Sequence, residues 1–131
     1  MSPTPLQPGL TGSVEIIVSE EDCARALGSG SLPVFATPRM VALMEEAACA
    51  AFASALAPGQ TSVGTKLDVE HLAATPIGQR VTARAVLERI EGRTLHFSVS
   101  AEDEREPIGR GTHIRVLVDE ARFMAKLEGK G

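Results

Sequence analysis

The chain has no Trp and no Tyr, and its four Phe bring the aromatic share to only 3%. That scarcity removes the stacking platforms on which single-strand nucleic-acid modules depend. A cationic excess is also missing: 13 Lys and Arg stand against 17 Asp and Glu, for a formal net charge of −4. No nucleic-acid partner is therefore expected. Cysteine is scarce too. Cys23 and Cys49 show no CxxC spacing and no neighbouring His cluster, so the reading is a reduced, cytoplasmic protein without a disulfide framework or metal site. The opening stretch MSPTPLQPGLTG lacks the basic and apolar regions of a signal peptide. No apolar run is both long enough and uncharged enough to span a bilayer, so no membrane partner is expected. Nor is there an internal repeat, a phosphate-binding Gly loop or a Ser/Cys triad motif, and no cofactor is expected.

What is present is a core. Hydrophobic residues make up 44% of 131 positions, enough for one globular domain. The stretch Val34 to Leu56 reads as a long helix, with Thr37 as N-cap, Pro38 at the first helical position and Pro58-Gly59 beyond its end. Between Met40 and Leu56 its only charges are Glu45 and Glu46. A carboxylate in so apolar a helix is costly unless paired, hydrogen-bonded or placed at a subunit boundary, which makes both functional suspects. Periodicity does not choose between them: Glu45 aligns with Val41, Ala48 and Phe52, and Glu46 with Ala42, Cys49 and Ala53.

Around this helix the chain divides into a Pro-rich flexible arm, 1–12, and a single domain, 13–131. Ser13 to Ser19 reads as a strand, Ser19 to Leu27 as a short helix, and Gly28 to Ser31 as a flexible lead-in. After Pro58-Gly59 the period changes to two. From Thr61 to Ala73 the alternation places Val63, Thr65, Leu67, Val69 and His71 on the core face, with Gly64 and Lys66 opposite. Strands follow over Arg80–Ile90, Thr94–Ala101 and Ile108–Val118, the first two joined at Glu91-Gly92-Arg93. In the second of these, Leu95, Phe97, Val99 and Ala101 face inward, while His96, Ser98 and Ser100 face out. In the last strand, Ile114, Val116 and Val118 take the apolar side and His113 and Arg115 the other, leaving His71 as the core-facing histidine. A short helix capped by Asp119 closes the chain, with Phe123 and Leu127 four apart. The fold class is α+β: an antiparallel sheet of about five strands around a central helix. One small sheet cannot cover so apolar a helix, so a homodimer is expected.

This order resembles the hot-dog fold. Val34-Phe35-Ala36-Thr37, Leu43-Met44-Glu45, Ser62-Val63-Gly64-Thr65 and His71 before Ala73-Ala74-Thr75-Pro76 resemble the fluoroacetyl-CoA thioesterase family. Glu91-Gly92-Arg93 and Gly109-Arg110-Gly111-Thr112-His113 fit the same pattern. The resemblance implies hydrolysis of a short or small acyl-CoA thioester, with Thr37, Glu45 and His71 as catalytic residues and Phe35 and Gly64 against the substrate. The lead-in departs from the pattern: Gly28, Ser29, Gly30 and Ser31 stand where the fluoro-specific enzyme carries bulky aromatics.

These residue types suit the chemistry. A thiol leaving group with a pKa of about 8.5 departs readily, so the main demands are an activated nucleophile and a site for the carbonyl oxygen's developing charge. The helix start near Thr37 to Arg39 offers N–H groups and a positive dipole end, although Pro38 itself cannot donate. Glu45 can act as nucleophile or general base, His71 can accept a proton or polarise the carbonyl, and Thr37 can orient water or attack. Thr37 and Glu45 lie eight residues apart, about 12 Å along a helix. That separation sets the two residues of one chain too far apart to share one carbonyl, whereas across a two-fold axis one subunit's helix start can meet the other's Glu. The residues therefore point to a composite site at a dimer interface. The cations available for CoA phosphates include Arg39, Lys66, Arg80, Arg84 and Arg110. The rival reading is a non-catalytic hot-dog protein that binds an acyl-CoA or small apolar ligand. A hot-dog dehydratase fits less well, for want of its His and acidic arrangement.

Overall fold

A computed structural model describes residues 4–131. Strand β1 (Thr11–Ile17) leads through a 3-10 turn (Glu20–Asp22) and one turn of helix, α1 (Ala24–Leu27), to the long helix α2 (Thr37–Phe52). Four strands follow: β2 (Gln60–His71), β3 (Arg80–Glu91), β4 (Thr94–Glu102) and β5 (Pro107–Asp119), and then helix α3 (Glu120–Glu128). The strands form one antiparallel sheet in the order β1-β3-β4-β5-β2, so β1 and β2 are its edges.

Helix α2 buries Met40, Leu43, Met44, Ala47, Ala48, Ala51 and Phe52, a three-and-four spacing that presents one face to the sheet. Val81, Ala83, Ala85 and Leu87 of β3 and Leu95, Phe97, Val99 and Ala101 of β4 receive it. Small residues let backbones approach. At Gly12 a Cβ would run into the Ala47 carbonyl and the Ala51 amide, so β1 lies directly against the helix. Phe52 stacks on Phe97 with ring centroids 5.8 Å apart, and each is almost fully buried. Burial of a side chain that size stabilises by about 1.5–3 kcal/mol. On the side of α2 nearest β2, Val41, Ala42, Glu45 and Cys49 stay half-exposed.

Several sequence expectations are corrected here. The arm does not run loose to Gly12: Gly9 N–H donates to the Leu87 carbonyl, Leu10 accepts from Leu87 N–H, and β1 begins at Thr11. Residues 1–3 lie outside the described residues. The short helix is broken at Cys23, and α2 ends at Phe52 with a 3-10 turn over Ala53–Ala55. Thr37 is not the N-cap. Ala36 holds that position, and Thr37 is the first helical residue. Cys49 is half-exposed, and both cysteines are free.

The largest correction concerns β5. His113, Arg115 and Leu117 face the helix, with His113 completely buried and Arg115 8% exposed, while Ile114, Val116 and Val118 lie on the outer face. The expected parity is thus inverted, and His71 is not the lone inward histidine. In β2 a bulge between Gly64 and Lys66 inserts Thr65. Leu67, Val69 and His71 therefore face the helix as expected. Before the bulge, Ser62 and Gly64 do so instead of Val63, because Gly64 pairs with the inward Arg115 and Ser62 with the inward Leu117.

Candidate active site

Two short bridges fix the start of α2. Cys23 pairs with Phe35, and Val34 pairs with Pro76. Phe35 N–H donates to the Thr75 carbonyl at 2.8 Å, and Ala36 N–H donates to that of Asp22 at 2.9 Å. Thr75 is itself buried and donates its hydroxyl to Asp103 Oδ2 at 2.8 Å. The end of β2 and the start of α2 are thereby held side by side.

That placement brings Thr37 to His71, with 2.7 Å between Oγ1 and Nδ1. Because Ala36 caps the helix, the Thr37 hydroxyl is not spent on the backbone. Phe35, 2% exposed, supports the imidazole edge-on, with centroids 6.3 Å apart and planes at 80°. His71 Nε2 is buried and has no hydrogen-bond partner among the described residues. Burial lowers the His71 pKa below the ordinary 6.5, against a smaller opposing pull from the Ala73 backbone. The ring is therefore neutral at pH 7 and able to accept a proton. Thr37, His71, Phe35, Val34, Ala24 and Ser29 line a concavity of about 300 Å³.

Glu45 stands apart from this pair. Arg115 Nη1 donates to its Oε2 at 3.1 Å, and His113 Nε2 lies 4.0 Å from the same oxygen. Arg115 is anchored in turn by Ser62, donating from Nε to Oγ at 2.8 Å and from Nη2 to the carbonyl at 3.3 Å. His113 Nδ1 hydrogen-bonds the Lys66 carbonyl at 2.7 Å, so Nε2 is free to accept from Arg115 Nη1 at 3.2 Å. Burial is also the main reason the His113 pKa falls below 6.5. Gly64 completes the group: a Cβ there would lie 2.6 Å from Glu45 Oε2. Glu46, by contrast, is exposed.

Within one chain, then, the structure brings Thr37 to His71 and Phe35, and Glu45 to Gly64, but it does not bring the two groups together. Sequence reasoning missed Arg115, His113 and Ser62, and the available signal was a buried Glu needing a partner on the facing strand. Among the described residues no His, Cys, Asp and Glu cluster could hold a metal ion, and no helix is long and apolar enough to cross a membrane.

Residues 18–121 match the family described as fluoroacetyl-CoA-specific thioesterase. The fluoroacetyl-CoA thioesterase of Streptantibioticus cattleyicolor is 48% identical over 97 residues, covering 74% of this chain and 70% of that protein. A solved structure of the fluoroacetyl-CoA thioesterase FlK superposes with a TM-score of 0.91 at 39% identity, covering 98% of this chain and 99% of the other. A thioesterase superfamily member from Thermus thermophilus is 30% identical, with a TM-score of 0.87 over 95% of this chain and 92% of its own. The five-stranded sheet around α2 is thus a hot-dog fold, and the chain belongs to the fluoroacetyl-CoA-specific thioesterase family of thioester hydrolases.

Proposed function

We propose that the protein is a cytoplasmic homodimeric hydrolase of short or small acyl-CoA thioesters, with each site made by Thr37 and His71 of one subunit and Glu45 of the other. The observation that carries this reading is the 2.7 Å contact between Thr37 and a neutral His71, beside a helix start whose first N–H groups the helix itself leaves free. Thr37 attacks the thioester carbonyl while its hydroxyl proton passes to His71 Nδ1, as in other hydroxyl–imidazole pairs. The N–H groups of Thr37 and Arg39 face the oxygen on which charge develops. His71 returns the proton to the departing thiolate, leaving an acyl-Thr37 ester and free CoA. Glu45, oriented by Arg115, then takes a proton from the water that attacks the acyl carbon and passes it to Thr37 Oγ1 as the acyl–Oγ1 bond breaks, which releases the acid and restores both residues. The Gly28–Ser31 segment beside the acyl concavity is exposed and carries no bulky side chain, which favours other small acyl groups alongside fluoroacetyl.

Dimerisation follows from the half-exposed Val41, Ala42, Glu45 and Cys49 stripe and from the unpaired edge of β2. Light scattering should give twice the 13.8 kDa chain mass. Thr37→Ala and Glu45→Gln should each be inactive alone. Once subunits exchange at equal amounts, roughly a quarter of wild-type turnover should return, since half the dimers are mixed and each carries one intact site. Confirmed mixed dimers without activity would place Thr37 and Glu45 in one chain's site. Absence of thioester hydrolysis by the wild type would remove the activity altogether.

A further inference from the structure

Of the five cations that the sequence offers for CoA phosphates, four already have carboxylate neighbours. Arg39 sits 2.9 Å from Asp22, Arg80 3.8 Å from Glu15, Arg84 2.9 Å from Glu102 and Arg110 3.8 Å from Glu70. Arg93, Arg122 and Lys126 are different. Among the described residues none of the three has a carboxylate within 4.0 Å. All three line one concavity of about 490 Å³, between α3 and the hairpin joining β3 to β4, over the apolar Val118 and Phe123. Asp119 also borders it, but its Oδ1 is occupied in accepting the Arg122 N–H at 2.9 Å.

A second hollow shares Arg93, Val118 and Asp119 with the first and continues to Leu117 and Gln60. Leu117 faces the helix side of the sheet, two residues from Arg115, so the second hollow touches the side of the sheet that carries Arg115 and Glu45. Gln60 and Gly64 are four residues apart on β2, about 13 Å at the strand rise. An extended thiol arm can bridge such a distance.

We propose that the concavity beside α3 seats the phosphorylated nucleotide end of the CoA carrier. Arg93, Arg122 and Lys126 hold its phosphates, and Val118 with Phe123 underlies the base. Two guanidiniums offer planar forks that match phosphate oxygens, and one ammonium adds a point charge. The proposal rests on the thioesterase reading above, and α3 lies almost wholly beyond the residues matched by the family, 18–121.

The test presents one acyl group on two carriers, CoA and pantetheine, the latter lacking the nucleotide. The triple variant Arg93→Ala/Arg122→Ala/Lys126→Ala should raise KM for the CoA thioester about tenfold. Its kcat, and both constants for the pantetheine thioester, should stay at wild-type values. Added salt should raise the wild-type KM for the CoA thioester and leave that of the variant nearly flat. All three side chains project from exposed positions, and Arg122→Gln/Lys126→Gln repeats the test with α3 composition largely kept. An unchanged KM for the CoA thioester overturns the site while leaving the activity intact. If the wild type hydrolyses neither thioester, the catalytic reading falls and calorimetry with CoA alone decides the site. Binding about tenfold weaker in the variant supports it, whereas equal binding or none overturns it.

Discussion

The two ends of the first half of α2 solve opposite problems. At its start, Thr37 and His71 form a neutral pair whose backbone supports are the lead-in strand and the Thr75 turn. Two turns on, Glu45 is a carboxylate held by a guanidinium, an imidazole and a glycine-lined gap. The first pair is set up for proton transfer, because burial keeps the imidazole uncharged. The second holds a carboxylate in a defined position, because Arg115 is itself locked to Ser62. A single chain keeps these about 12 Å apart along the helix. The neutral and charged groups are thus built in separate surroundings, and in the proposed dimer a second copy brings them together.

The strongest way to break this comparison is to remove the neutral pair. His71→Ala should lower kcat by about 10²–10⁴-fold with KM far less affected, as expected for loss of a proton acceptor. Thr37→Ala should do likewise, and Thr37→Ser should retain activity. Because Thr37 is not the helix cap, Thr37→Ala should leave the thermal unfolding midpoint near wild type. Stopped-assay kinetics beside thermal melts would check this. Loss of activity that merely follows loss of folded protein would return Thr37 to a structural role.

These expectations also mark what the sequence could reveal. The β4 face was readable because Leu95, Phe97, Val99 and Ala101 are all apolar and their alternate neighbours are mostly polar. In β5 the same rule inverted the answer. The helix-facing positions there carry His113 and Arg115, whose partner Glu45 sits on another element, while the outer face pairs Val116 with Val63 and Val118 with Thr61. The Thr65 bulge was equally hidden, since an inserted residue shows only against its partner strand. His113 helps to hold that bulge through the Lys66 carbonyl, and the bulge is what turns Gly64 towards Glu45. Thr37, Glu45 and His71 could be named from the family pattern, and helix spacing already set Thr37 apart from Glu45, but the placement of His71 beside Thr37 needed the fold.

A smaller change sharpens the charged side of the comparison. Gly64→Ala would place a Cβ 2.6 Å from Glu45 Oε2 and 3.2 Å from Arg115 Nη1, so the flexible carboxylate must swing away. Gly64 is edge-strand backbone without a positive φ, and the fold should tolerate the methyl. Turnover should fall about 10–100-fold through misplacement of Glu45, with the unfolding midpoint little altered. Unchanged turnover would put the Glu45 carboxylate outside the reaction.

The subtlest expected effect is in the pH dependence. His71 titrates below its ordinary 6.5 because burial disfavours the imidazolium. Between its folded pKa and 6.5 the unfolded chain binds more protons than the native one, so its contribution to stability is full above 6.5 and declines as the pH falls through that window. His113 is lowered for the same leading reason and adds in the same direction. The buried-side carboxylates Asp22 and Asp103 are shifted below their ordinary 3.8, so their contribution disappears only at lower pH and does not obscure the histidine window. In the proposed mechanism catalysis has the same sign, since His71 accepts a proton and must start neutral. The acid limb of kcat/KM should therefore set in below pH 6.5 rather than at or above it. Imidazole C–H resonances followed from pH 8 downward, with His71→Gln and His113→Gln as assignment controls, would give the two titrations separately. A His71 midpoint at or above 6.5 would mean that its ring is open to water or charge-paired, and the neutral half of the comparison would fail.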